Sequence, residues 1–243
     1  MTPDTAEIHP ASGGIVPIAC ILSDCDCDCD CVIVDSEVVA EAVMLEVLQH
    51  AFGLPDLSGY LHDMIGHRVI DIIRIIEERV GQPQGEARRA ELQRAIDARV
   101  AEVSPAMPDT LDTYRVLGLP IAVVSNSAYP RGHRSVECAG MLVLAGSHVY
   151  SAEDVGRPKP APDAYLYAAR QLGFALQAYL VSEDSPTGVR AGHAAGMRVL
   201  GFLGGGQIGA SHSALLREAA ANALFDRMSD LHSLIERLNL RLC

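Results

Sequence analysis

From residue 105 onward, short apolar runs alternate with helical stretches, and each run closes on small or polar residues. The runs are PIAVVSNS, AYLVSEDS and RVLGFLGGG, separated by stretches such as DAYLYAARQLG and TGVRAGHAAGM. Apolar runs with no polar alternation are strands covered on both faces, and helices between successive strands provide parallel crossovers. The pattern predicts an α/β fold on a doubly wound parallel sheet, a Rossmann-like core. Open sheets of this kind place ligands at the carboxyl ends of their strands, where the polar residues of these runs fall.

The first 104 residues read differently. The run IVPIACIL predicts another buried strand, followed by the alternating tract Asp24-Cys25-Asp26-Cys27-Asp28-Cys29-Asp30-Cys31. From Ser36 the period becomes helical. EAVMLEVLQHAFG and VIDIIRIIEERVG each stop at a glycine, and EARRAELQRAIDARVAEV carries Leu92, Ile96 and Val100 on one face. Helices with no strand between them predict an all-helical insertion over 38–104. The α/β core is then 15–37 and 105–243, after a polar, disordered lead-in at 1–14.

Composition narrows the partners. A formal net charge of -12 disfavours nucleic acid, which needs clustered Lys and Arg. The longest apolar run near the start is too short to span a bilayer and lacks a basic flank, so no membrane partner is expected. The expected partner is a small molecule, and the expected state is a monomer or small homo-oligomer. Four of the seven cysteines alternate with aspartates, a spacing poor for relaxed disulfides, and the other three are scattered; this predicts a reducing, cytoplasmic setting.

Three strands end in reactive groups, ILSDCD, AVVSNS and LVSEDS, and the loop GRPKPAPD brings Lys159 between the last two. Carboxylates gathered at one sheet edge repel unless a hard cation lies among them, and an oxygen-rich site suits Mg²⁺. Ser125, the N–H groups after it and Lys159 are suited to holding phosphate oxygens. A carboxylate facing phosphorus is a nucleophile, and a neighbouring carboxylic acid protonates the leaving alcohol.

On these residues the chain resembles the haloacid dehalogenase-like superfamily. Its first motif, Asp-x-Asp-Gly before a hydrophobic run and Asp-Ser-Glu, is similar to DCD…CVIVDSE. Its second-motif Ser or Thr matches Ser125 in VVSNS, its third-motif Lys matches Lys159, and its fourth acidic motif matches Glu183 and Asp184 in VSEDSPTGVRAGHAAGM. The helical insertion stands where the family's helical cap stands. The resemblance is to the branch of the β-phosphoglucomutases and 6-phosphogluconate phosphatases. The mutases carry a hinge His a few residues after the Asp-Ser pair, whereas here the first His after Asp35-Ser36 is His50.

The resemblance implies a Mg²⁺-dependent phosphatase of small phosphorylated metabolites, sugar phosphates foremost, acting through an aspartyl-phosphate. Asp24 is its implied nucleophile and Asp26 its acid/base. Ser125, Asn126 and Lys159 would hold the phosphoryl group, and Asp24, Asp26, Glu183 and Asp184 the Mg²⁺. His67 and Arg68, after Gly66 in the cap, would select the substrate. A phosphomutase and a homologue that binds phosphometabolites or metal without turnover are the alternatives.

The tract admits two registers. Counting from the strand selects Asp24 and Asp26; counting back from VIVDSE selects Asp28 and Asp30. The downstream choice would run the central strand through two buried carboxylates, costing several kcal/mol. Extra residues in a loop cost far less, which favours Asp24 and Asp26. A four-residue slip preserves side-chain faces, so the other register stays open. In either, Cys27 or Cys31 stands where the family has Gly, which strains a turn of positive φ. A thiolate metal site is the rival reading of the tract, although its ligands lack the usual C-x₂-C spacing.

Overall fold

A computed structural model describes residues 16–18, 20–24, 32–35, 37–57, 69–103, 106–127, 129–205, 211–238 and 240–242. The expected lead-in at 1–14, the tract from Cys25 to Cys31, and His67 and Arg68 lie outside these residues.

The run expected as one strand is two. β1 (Val16–Ile18) pairs in parallel with a strand at the far end of the chain, Leu240–Leu242, in a sheet of its own. β2 (Cys20–Asp24) enters the main sheet. Three described helices follow: α1 (Glu37–Phe52), α2 (Val69–Val80) and α3 (Glu86–Val103). The first two end where expected, at Gly53 and Gly81, whose φ values of 66° and 72° favour glycine. The third runs over the whole stretch read as helical.

The remaining elements alternate. α4 (Thr110–Leu117), β3 (Ile121–Ser125), α5 (Tyr129–Cys138), α6 (Leu142–Ala145) and β4 (Val149–Ser151) come first. Then follow α7 (Asp163–Leu172), β5 (Tyr179–Glu183), α8 (Pro186–Ala194) and β6 (Arg198–Phe202). α9 (His212–Glu218), β7 (Ala223–Phe225), α10 (Leu231–Arg237) and β8 (Leu240–Leu242) complete the chain. β4 was not legible: its three residues, VYS, are too few to establish a period, and the nearby apolar segment MLVLAG contributes the short helix α6 instead.

Six described strands form a sheet in the order β4-β3-β2-β5-β6-β7, with every pairing parallel. This is the doubly wound α/β architecture of the Rossmann type, reversing direction between β2 and β5. Successive side chains alternate between two buried layers. Ile21, Ile121, Val123 and Leu180 join one cluster, while Leu22, Ala122, Val124 and Val181 join the other. Both faces are covered, which explains why these strands read as unbroken apolar runs.

The three described helices between β2 and α4 bury a separate cluster, centred on Leu48, Ile73, Ile76, Leu92 and Ile96. The two connections to the core are bonded to each other. Val34 forms an antiparallel bridge with Ala106, and Met107 N–H donates to Ile33 C=O at 2.8 Å. α3 also touches α5, where the Arg131 guanidinium pairs with Asp97 at 3.3 Å.

Candidate active site

The register brings the reactive strand ends together. Asp24, the last residue of β2, is paired with Val124, one residue before Ser125 at the end of β3. On the other side Ser23 is paired with Ser182, one residue before Glu183 at the end of β5. Asp24, Ser125 and Glu183 therefore terminate three adjacent parallel strands, at the reversal of strand order. That crevice is where open α/β sheets bind ligands.

Ser125 is buried, and its Oγ accepts from Ser127 N–H at 3.0 Å, which curls the chain as it leaves β3. Ser151, at the end of β4, donates from Oγ to Ser127 C=O at 2.7 Å and pins this curl to the sheet. Asn126, expected at the phosphoryl group, is bonded to the backbone of Lys159. Its Oδ1 accepts from Lys159 N–H at 2.8 Å and its Nδ2 donates to Lys159 C=O at 3.4 Å. This clamp carries the GRPKPAPD loop to the end of β3.

Lys159 then turns inward. Its side chain is 0% exposed, as is that of Glu183. The ammonium donates to Glu183 Oε1 at 2.7 Å and to Val124 C=O at 3.1 Å, and lies 5.1 Å from the centre of the Tyr165 ring. A buried ammonium persists because an equally buried carboxylate and a carbonyl replace its water.

Glu183 is occupied at both oxygens. Oε1 also accepts from Tyr165 O–H at 2.5 Å, while Oε2 accepts from Ser185 N–H at 3.3 Å and Ser185 O–H at 3.1 Å. Ser185 caps α8, its Oγ accepting from Gly188 N–H at 2.9 Å. Four donors thus engage this carboxylate, which is the buried counter-charge of Lys159.

Asp184, the next residue, is also buried, and its main-chain carbonyl lies 2.6 Å from His212 Nε2. Among the described residues no group of three His, Cys, Asp or Glu side chains is close enough to hold a metal. Asp24 ends β2, and Asp184 directly follows the end of β5. These are hard carboxylate oxygens, the ligand type Mg²⁺ takes, so the residues fit that ion.

The sequence singles out Ser125, Lys159, Glu183 and Asp184, but not Tyr165, Gly188 or His212. Ser185-Pro186 carries a legible helix-start signal. Tyr165 carries none, because one tyrosine in an amphipathic helix reads as core.

The family model for haloacid dehalogenase-like hydrolases matches residues 27–196. The chain belongs to the haloacid dehalogenase-like hydrolases. Hexitol phosphatase A of Escherichia coli K12 is 33% identical over 156 residues, 64% of this chain and 66% of that protein, just under two thirds of its length. The 6-phosphogluconate phosphatase of the same organism is 28% identical over 191 residues, covering 76% of this chain and 82% of that one. A haloacid dehalogenase-family hydrolase of Deinococcus radiodurans R1, solved with bound phosphate and sodium, is 30% identical with a TM-score of 0.69. It covers 94% of this chain and 100% of its own. The family-model match includes Asp28 and Asp30 but begins after Asp24 and Asp26, so it does not by itself favour the upstream register.

Proposed function

We propose that this haloacid dehalogenase-like hydrolase is a Mg²⁺-dependent phosphatase of small phosphorylated metabolites, with sugar phosphates as its main substrates. The observation that carries the reading is the buried Lys159 ammonium, held by Glu183 beside the ends of β2 and β3 where Asp24 and Ser125 stand. A fixed positive charge, a hydroxyl and a carboxylate at one strand-end crevice suit a phosphoryl group. The names of the two Escherichia coli relatives support the same class.

In this reading the Asp24 carboxylate attacks phosphorus, and the bond to the leaving oxygen breaks as Asp26 supplies its proton. Asp26, now ionised, takes a proton from a water whose oxygen attacks the aspartyl-phosphate and restores Asp24. Ser125 and Lys159 hold the phosphoryl oxygens, and Glu183 and Asn126 position Lys159. Asp184 and Asp24 would hold Mg²⁺, which when bound offsets the charge of carboxylates and phosphate. The helices over 38–104 act as a cap, and His67 and Arg68 select the substrate's distal groups. The two described cysteines, Cys20 and Cys138, are free thiols, and no described helix is long and apolar enough to cross a membrane. We place the enzyme in the cytoplasm.

Because the family-model match starts at residue 27, Asp28 and Asp30 are the second reading of nucleophile and acid. Asp24→Asn and Asp28→Asn, made separately, distinguish them: only the nucleophile's replacement abolishes phosphoenzyme formation. A panel of phosphate esters assayed with Mg²⁺ and with EDTA tests the class. Absence of Mg²⁺-dependent phosphate release from every ester would overturn the phosphatase and favour a homologue that binds without turnover. Conversion of β-glucose 1-phosphate to the 6-phosphate would make the enzyme a mutase.

A further inference from the structure

Tyr165 belongs to no motif, yet its side chain touches both members of the buried ion pair. It is 0% exposed on α7; its hydroxyl donates to Glu183 Oε1, and its ring lies beneath the Lys159 ammonium at 5.1 Å. A buried phenol needs a hydrogen-bond partner, and a carbonyl would suffice. Tyr179 illustrates that simpler case: its hydroxyl donates to Ala169 C=O at 3.0 Å and accepts from Phe174 N–H at 3.1 Å, wholly within the scaffold. Tyr165 is instead directed at the oxygen that Lys159 uses.

We propose that Tyr165 is a positioning residue that sets, through Glu183, where the Lys159 ammonium sits and how strongly it attracts a phosphoryl group. This rests on the reading of Lys159 as a phosphoryl-holding group. Glu183 Oε1 accepts from Nζ at 2.7 Å and from the phenol at 2.5 Å, so its negative charge is divided between two donors. Without the phenol the oxygen turns its whole acceptor capacity to the ammonium, and in a site of low dielectric the pair tightens. The positive charge is then drawn toward Glu183 and away from the strand-end crevice. The ring holds the ammonium from its other contact, stabilising it as a cation without competing for its N–H groups.

The test is titration calorimetry of inorganic phosphate, at fixed Mg²⁺, on the full-length chain and on Tyr165→Phe, Lys159→Gln and their combination. Gln keeps a donor for Glu183 while removing the charge. Tyr165→Phe keeps the ring, and the phosphate Kd is expected to rise about fivefold. Lys159→Gln is expected to raise it about tenfold or more, and adding Tyr165→Phe to it changes Kd by less than about twofold. That non-additivity is the signature of acting through Lys159, and a purely packing role does not produce it. Tyr165→Met, which removes the ring as well, is measured alongside in case Tyr165→Phe melts below the assay temperature, and is expected to weaken binding further. If Lys159→Gln leaves phosphate affinity unchanged, the phosphoryl-holding reading of Lys159 fails and the proposal with it. If Lys159→Gln weakens binding while a folded Tyr165 variant binds like wild type, or if the two effects add, the role of Tyr165 alone is overturned.

Discussion

Gly188→Ala isolates the physics that holds the site. Gly188 lies in the first turn of α8 and its backbone φ is not in the left-handed region, so an alanine there meets no backbone penalty. Helix propensity alone predicts a gain of about 0.5–1 kcal/mol. The tertiary structure predicts the opposite sign. A Cβ at this position would stand 1.8 Å from Glu183 Oε1, 1.9 Å from its Cδ and 2.1 Å from Oε2. To reach ordinary contact the carboxylate must withdraw by about 1.5 Å, further than its hydrogen bonds to Lys159 and Tyr165 can stretch.

The helix has little room to move along the sheet, because a Cβ at Gly192 would already stand 2.8 Å from Val199. Separating a buried ammonium from its carboxylate costs about 3–5 kcal/mol, so the net loss is about 2–4 kcal/mol after the propensity gain. In a chain of this size that lowers Tm by roughly 5–15 °C. The chain has no Trp, so far-ultraviolet circular dichroism is the probe, in urea and on heating. Gly132→Ala in α5 is the control, since its Cβ would meet nothing nearer than Ser125 at 3.7 Å and it is expected to be neutral or slightly stabilising. A Gly188→Ala protein as stable as wild type, or more so, would refute the wedge between α8 and Glu183.

Two further outcomes follow from particular contacts. Asp97 and Arg131, whose side chains are 19% and 14% exposed, link α3 to α5, and a double-mutant cycle with Asp97→Asn and Arg131→Met is expected to show a coupling of about 1 kcal/mol that shrinks with added salt. A coupling of zero would mean the pair does not hold the helices over 37–103 against the core. Burial pushes the Cys20 thiol up to about 12 from 9.0, so in native protein at pH 8 it should resist a thiol reagent that labels the exposed Cys138 at once. Because the folded value is the higher one, this thiol's contribution is complete below pH 9 and is lost as pH rises toward 12, by up to about 1.4 kcal/mol per unit. Urea midpoints for wild type and Cys20→Ala across that range should converge in the wild type's disfavour, and parallel slopes would contradict it.

Much of the fold could be read before any coordinates, for reasons visible in individual residues. Ile121 to Val124 are apolar without interruption because both faces of β3 are covered, and Gly53 and Gly81 end helices because the next turn needs positive φ. β4 and the pairing of β1 with β8 escaped, since three-residue strands carry no measurable period and their partners lie far off in the chain. In the site, the types Ser125, Lys159, Glu183 and Asp184 were legible as chemistry, whereas the distinction between the two acidic neighbours was not. Glu183 reaches Lys159 and also accepts from Ser185, which caps α8.

The sequence by itself determined the alternation of strands and helices, the helical insertion and the polar residues that close each strand, because these follow from local period and backbone preference. Only the tertiary structure decided that Asp24, Ser125 and Glu183 end neighbouring strands, and that Asn126 serves Lys159. Strand order, and contacts between Lys159 and Tyr165 or Glu183 and Gly188, depend on how distant segments pack. A local pattern carries no record of that packing.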